Sequence, residues 1–93
     1  MLLITELVWD DRNEAHIARH GIPRHEVEEV CFGRHWLLRS KRRNRKALFG
    51  QTLGGRYLLV IVEMRGRGVY YPVTARDMNA MEGRRFRIWR GRR

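Results

Sequence analysis

The sequence predicts a small α+β domain with the element order β-α-α-β-β-β-β-α, a mostly antiparallel sheet and helices packed on it. Three observations lead there. Helix caps and helical spacing fill the first third of the chain, apolar segments separated by glycine turns fill the middle, and helical spacing returns after residue 77. Ninety-three residues allow one domain with one modest core, spanning 1–93, and 43% apolar residues are enough to build it.

The elements follow in order. Leu3–Trp9 reads as a first strand. Helix 1 starts at Asp10 or Asp11, and Asp11 with Glu14 has capping-box spacing. Gly21 closes that helix where left-handed dihedrals are favoured. Pro23 suits the first turn of helix 2, whose Val27, Val30 and Cys31 fall at i, i+3, i+4, and Gly33 ends it. The period then changes. HWLLR and KALFGQT are strands, with a basic cluster between them. Gly54-Gly55 makes a tight turn, Tyr57–Met64 is the apolar core strand, RGRG is another turn, and Val69–Ala75 is the last strand. Asp77 is placed to cap a final helix in which Met78, Met81, Ile88 and Trp89 share one face, and Gly83 weakens it by roughly 1 kcal/mol relative to Ala. The Arg-rich end of the chain is expected to be disordered.

Charge points to the partner. The net charge is +10, with residues 1–29 at −4 and residues 30–93 at +14, and eighteen of the twenty basic residues are Arg. Such a field captures polyanions, and guanidinium forks fit phosphate. RSKRRNRK, Arg39 to Lys46, holds six of these cations at the tip of the first long hairpin, where side chains reach water. Nucleic acid leads, an acidic protein partner follows, and a merely solubilising surface is the bland alternative. No run approaches the roughly eighteen apolar residues of a membrane span. MLLITELVW is too short and acidic for a secretion signal, and the lone Cys31 excludes an internal disulfide, which fits a reducing cytoplasm.

Three blocks carry a family resemblance. VWDDRNEAHIARHGI holds Trp9, Asp10, Asn13, His20 and Gly21, with Arg19 where Lys is usual. FGQTLGGRYLLVIV supplies a Gly-x-Thr, a turn, Gly-Arg and an apolar strand. YYPVTARDMNAMEGRRF supplies an Ala-Arg step followed by a Glu-Arg helix. In that order they resemble the BrnT family of bacterial toxins. The resemblance implies a RelE-like fold and a ribonuclease of a type II toxin–antitoxin system. It also implies RNA as substrate, ribosome-associated mRNA included, and a cognate BrnA-like antitoxin with a toxin dimer inside their complex. The alternatives are a non-catalytic nucleic-acid module or decayed toxin, and a protein whose cationic face only docks an acidic partner.

Cleavage by the RNA's own 2′-OH needs a base for that proton, cations on the phosphate and an acid for the leaving 5′ oxygen. No metal or cofactor is expected. Arg76, after the last strand, is the first candidate for the phosphate, or else pairs with Asp77 or Glu82. Glu63, the only acid between Glu29 and Asp77, is a candidate base, or pairs with Arg65. His20 is a candidate proton shuttle, or caps helix 1. His16 and His20, four apart, lack an obvious third metal ligand. Backbone contacts to RNA are expected from Arg39, Lys41, Arg42, Arg43, Arg45, Lys46, Arg56 and Arg65. Trp9 reads as a core plug, or else stacks on a base, and Trp36 and Trp89 read as core or interface. Tyr70 and Tyr71 point to opposite faces of their strand, one of them outward.

Overall fold

The expected order of elements is the observed one: β1 (Glu6–Leu7), α1 (Asp11–Ala18), α2 (Arg24–Phe32), β2 (His35–Arg39), β3 (Arg45–Gln51), β4 (Tyr57–Gly66), β5 (Val69–Asp77) and α3 (Ala80–Arg90). The structure, a computed structural model, describes residues 1–40, 42 and 44–92. The five strands form one sheet in the order β1-β5-β4-β3-β2. Only β1 runs parallel to its neighbour, and the other pairings are antiparallel.

Strand β4 lies at the centre because its side chains are apolar on both faces. Leu58, Val60 and Val62 meet Ile17, Ile22, Val27, Val30 and Cys31 of the α1–α2 layer. Leu59, with Tyr57 and Ile61 beside it, meets Phe49 and Phe86 on the opposite face, which α3 covers. Gly50 lets α2 close onto β3, since a Cβ there would stand 2.7 Å from a Val30 methyl. Burial pushes the Cys31 thiol up to about 12, so it stays protonated and packs as a small apolar group. His35, fully buried, is a structural histidine. Its Nε2 accepts from the Leu2 N–H at 3.0 Å, so Nδ1 carries the proton, toward the carbonyls of Gly33 (3.0 Å) and Val30 (3.2 Å).

Several local expectations change. The first strand shrinks from Leu3–Trp9 to two residues, because Leu3 points into solvent and the N–H groups of Thr5 and Glu6 both converge on the Gly68 carbonyl. The capping box of α1 is Asp10 with Asn13, not Asp11 with Glu14. Pro23 is the N-cap of α2 and not its first helical residue. Asp77 does not cap α3. It ends β5, and Asn79 caps the helix with Glu82 at the third position. The buried side of α3 is Gly83 and Phe86, with Met78 and Trp89 packed beside them, while Met81 and Ile88 are exposed. Phe86 is the one large side chain of α3 that fits between Tyr57 and Trp89, and so it fixes the helix's rotation.

Candidate functional site

Side-chain chemistry gathers at the two ends of the β4–β5 ladder. The Leu59–Arg76 pairing marks one end and the Glu63–Tyr71 pairing the other, about 13 Å apart along β4. Helix α1 lies along β5 and connects them.

At the first end Arg76 and Arg56 are matched by carboxylates, while Arg84 and Arg87, beside Tyr57 and Asn79, make no ion pair among the described residues. Arg76 grips Glu82 with both terminal nitrogens, at 2.8 and 2.9 Å, and Glu82 also accepts from the Asn79 N–H at 2.9 Å. The Arg76 guanidinium holds the Glu82 carboxyl below the usual range, and Glu82 raises Arg76 in turn. Arg56 forks onto Asp77 at 2.7 and 3.0 Å and reaches Glu26 at 3.0 Å and the Gly21 carbonyl at 2.9 Å. It thereby ties together the start of β4, the end of β5, α2 and the loop after α1. Asp77 raises Arg56, and Arg56 holds Asp77 below the usual carboxylate range. Two arginines face three carboxylates here. His20 is exposed on the neighbouring turn, next to the Gly21 that Arg56 binds.

The second end is built around the start of α1. The Asn13 and Asp10 backbone N–H groups each donate to the other's side chain at 2.9 Å. The Asn13 amide also donates to the carbonyls of Val8 and Pro72, both at 3.0 Å, which locks α1 to β5. Pro72 has no N–H, and the ladder with β4 slips by one residue beside it. Tyr71 donates to the Asp10 carboxylate at 3.0–3.1 Å. The Asn13 N–H holds Asp10 below the usual range, while burial and then the Asp10 carboxylate raise the Tyr71 hydroxyl. The Arg65 guanidinium lies 4.3 Å over the Tyr71 ring. Glu63 is shared between Arg45 at 3.2 Å and Arg65 at 3.4 Å. His16 Nε2 meets the Thr74 hydroxyl at 3.1 Å, and its ring stands 5.2 Å from that of His20. Arg12, Asn13, His16, Arg65, Tyr71 and Val73 enclose an open depression of about 350 Å³.

The sequence candidates therefore separate. Glu63, Arg45 and Arg65 come together at the second end. Arg76 and Arg56 lie at the first, and His20 touches His16 between them. Of the hairpin cations, Arg39 and Arg42 are exposed and make no ion pair among the described residues, and Lys46 is half-buried opposite Arg39 on β2. Lys41 and Arg43 lie outside the described residues. Among the described residues no group of three or more His, Cys, Asp or Glu is disposed to hold a metal. Arg12, His16 and Tyr71 were not singled out for this site from the sequence. The signals were an α1 face with Arg12, His16 and His20 four apart, and the alternation that buries Tyr70 in the core and turns Tyr71 to the opposite face.

Chemically, the depression offers two guanidiniums to an anion, an imidazole able to move a proton and a phenol already bonded to a carboxylate. No family model matches the sequence, and no curated protein matches it. Among solved structures, the chain is similar to the Brucella abortus ribonuclease toxin BrnT, with a TM-score of 0.64 at 18% identity, over 80% of this chain and 96% of that one. At that identity the likeness is one of fold, and the α+β, RelE-like fold implied by the three sequence blocks is the fold this chain adopts.

Proposed function

We propose that this chain is a ribonuclease toxin of a toxin–antitoxin pair that cuts RNA by attack of the substrate's own 2′-OH at the depression bounded by Arg12, His16, Arg65 and Tyr71. The observation that carries the reading is this depression, with its proton-transfer and phosphate-binding groups, on a fold shared with a ribonuclease toxin. The 2′ oxygen bonds to phosphorus as the bond from phosphorus to the 5′ oxygen breaks, leaving a cyclic phosphate and a 5′-hydroxyl. Arg12 and Arg65 neutralise the phosphoryl oxygens, and His16 moves the proton. Glu63 holds Arg65 and Arg45 in place. His20 stands against His16 and carries protons between it and water. Arg76 acts at a distance, by fixing β5 to α3 through Glu82. The hairpin arginines Arg39 and Arg42, with Lys41, Arg43 and Lys46, hold the RNA backbone, and Arg45 links hairpin to depression.

The partner in this reading is an antitoxin carrying enough acidic surface to cover the hairpin and the depression, in an assembly with a second toxin copy. No helix among the described residues is long and apolar enough to cross a membrane.

The test uses the purified chain, freed of any partner, with a 5′-labelled single-stranded RNA in EDTA. The expected result is cleavage ending in a cyclic phosphate, lost in His16→Ala and in Arg65→Ala. No cleavage by the natural chain, with naked RNA and with ribosomes added, would overturn the proposal.

A further inference from the structure

We infer that the cleft between β2 and α3 is a second, non-catalytic site that takes one or more bases of single-stranded RNA, separate from the depression at β5. The inference rests on the nucleic-acid reading above, but not on catalysis.

The cleft, about 210 Å³, is bounded by Trp36, Arg85, Ile88, Trp89 and Arg92. The Trp36 and Trp89 rings are near parallel, 17° apart with centroids at 6.3 Å. Phe49 backs Trp36 and Phe86 backs Trp89, so both indoles are held from behind. The Arg34 guanidinium lies 4.8 Å over the Trp89 ring, and its NH2 donates to the Arg92 carbonyl at 3.3 Å. No carboxylate among the described residues lines the cleft. Among the described residues Arg34, Arg85 and Arg92 form no ion pair, in contrast to Arg56 and Arg76.

Rigid indoles flanked by unmatched guanidiniums suit stacked bases joined by phosphates. An acidic protein segment would use the same arginines, but it would gain nothing from the indole edges and faces that remain open in the cleft, which a base can stack on. The apolar rim is also small, with Ile88 on α3 and Leu38 two residues beyond Trp36 on β2.

Position supports the same occupant. Alternation puts Trp36 and Leu38 on one face of β2. That is the face of Phe49, Leu59 and Ile61, and one more step along β4 places Glu63 on it. Helix α3 covers only the Tyr57 end of this face. The depression opens at β5 in the Glu63–Tyr71 row and the cleft at β2 in the row of Trp36, Phe49 and Leu59, three strand spacings or about 14 Å across the sheet and about 13 Å along it, roughly 20 Å in all. Between them on this face stand Leu38 and the Arg45–Glu63 pair. A single strand seated in the cleft therefore reaches the depression across the open end of one sheet face.

The experiment titrates the chain with a labelled 2′-O-methyl RNA 12-mer, which lacks the attacking hydroxyl, following anisotropy and tryptophan fluorescence. Arg85→Glu/Arg92→Glu changes only exposed side chains, and Arg19→Glu/Arg67→Glu is the charge-matched control. We expect quenching of the natural chain's fluorescence. The cleft variant should bind at least about tenfold more weakly than the control, with quenching reduced. Trp36→Leu, in a chain shown by circular dichroism to be folded, should lose roughly tenfold or more. Equal weakening by cleft and control variants would overturn the inference. So would binding without quenching, or a cleft variant impaired only toward a poly-glutamate peptide of the same length, which would assign the face to an acidic protein. Loss of cleavage with this binding intact would count against the proposed reaction and not against the cleft.

Discussion

The two ends of the β4–β5 ladder carry the same residue types and use them oppositely. At the Arg76 end, two arginines are shared among three carboxylates, and the bonds are short and forked. At the Tyr71 end, Arg12, Arg45 and Arg65 stand against Asp10 and Glu63, with His16 beside them and an open depression in front. A phosphate approaching Arg56 or Arg76 at the first end has to displace a carboxylate from the guanidinium it uses. At the second it meets a surplus of positive charge. Motif position alone favours Arg76, while the surplus favours Arg65. The difference shows how far the neighbours of an arginine, rather than its place at a strand end, decide whether it holds the fold or a ligand.

The largest effect expected from this contrast is kinetic. His16→Ala removes the proton-transfer group and should slow cleavage by about 10²-fold or more, with Arg65→Ala comparable. Both side chains are accessible, so the melting temperature should move little. Arg76→Ala should slow cleavage less than about tenfold. Measuring single-turnover cleavage of one labelled RNA by all three variants decides the matter. If Arg76→Ala is the most damaged, the roles of the two ends are reversed.

The second expectation inverts the assay. Arg56→Met cuts β4, β5, α2 and the α1–α2 loop loose from one another and leaves Asp77 and Glu26 without their partner. It should destabilise the chain by about 1–2 kcal/mol, a fall of roughly 4–16 °C in melting temperature for a domain of this size. Cleavage per folded molecule should be unchanged. A loss of activity at full stability would place Arg56 on the RNA instead.

Much of this architecture is legible in the sequence, and the parts that are not share a cause. Strand β4 announces itself by an apolar run that only a strand buried on both faces needs. Gly21, with φ of +74°, closes α1 as its position suggests. Helix α3 shows the limit of periodicity. A wheel finds a stripe in Met78, Met81, Ile88 and Trp89, but it cannot say which side an aromatic will pull inward, and Phe86 pulls the helix about 100° away from it. Asp77 reads as the N-cap from the sequence, but its carboxylate is held by Arg56, and Asn79 with Glu82, at capping-box spacing, caps the helix instead. The partners of Arg56 are 21, 30 and 35 residues away. The bond between Tyr71 and Asp10 spans 61. Contacts of that reach arise from sheet order and from α1 lying along β5, and no local pattern encodes them.

The smallest expected effect is in acid, and it separates the ends by their carboxylates. The folded state binds protons on Asp77 and Glu82 less readily than the unfolded chain, whose ordinary values are 3.8 and 4.5. Their contribution is complete above about pH 4.5, and it is lost as pH falls through the lowered folded values. Asp10 behaves in the same way at the Tyr71 end, where the Asn13 N–H lowers it most. His35, lowered from 6.5 by burial, adds an acid loss of its own that begins at higher pH, since the unfolded chain takes up that proton first. Urea midpoints from pH 7 to 3 should therefore fall in two stages, the first below about pH 6.5 and the second below about pH 4.5. The double variant Asp77→Asn/Glu82→Gln should be less stable at pH 7 and should lose less unfolding free energy in the second stage, by a few tenths of a kcal/mol to about 1 kcal/mol, because both pairs are partly exposed. Asp10→Asn should flatten the same stage by less than the double variant does. If Asp10→Asn flattens it more, the carboxylates at the Arg76 end are not the ones that hold the sheet together, and the Tyr71 end has a structural share larger than its open geometry implies.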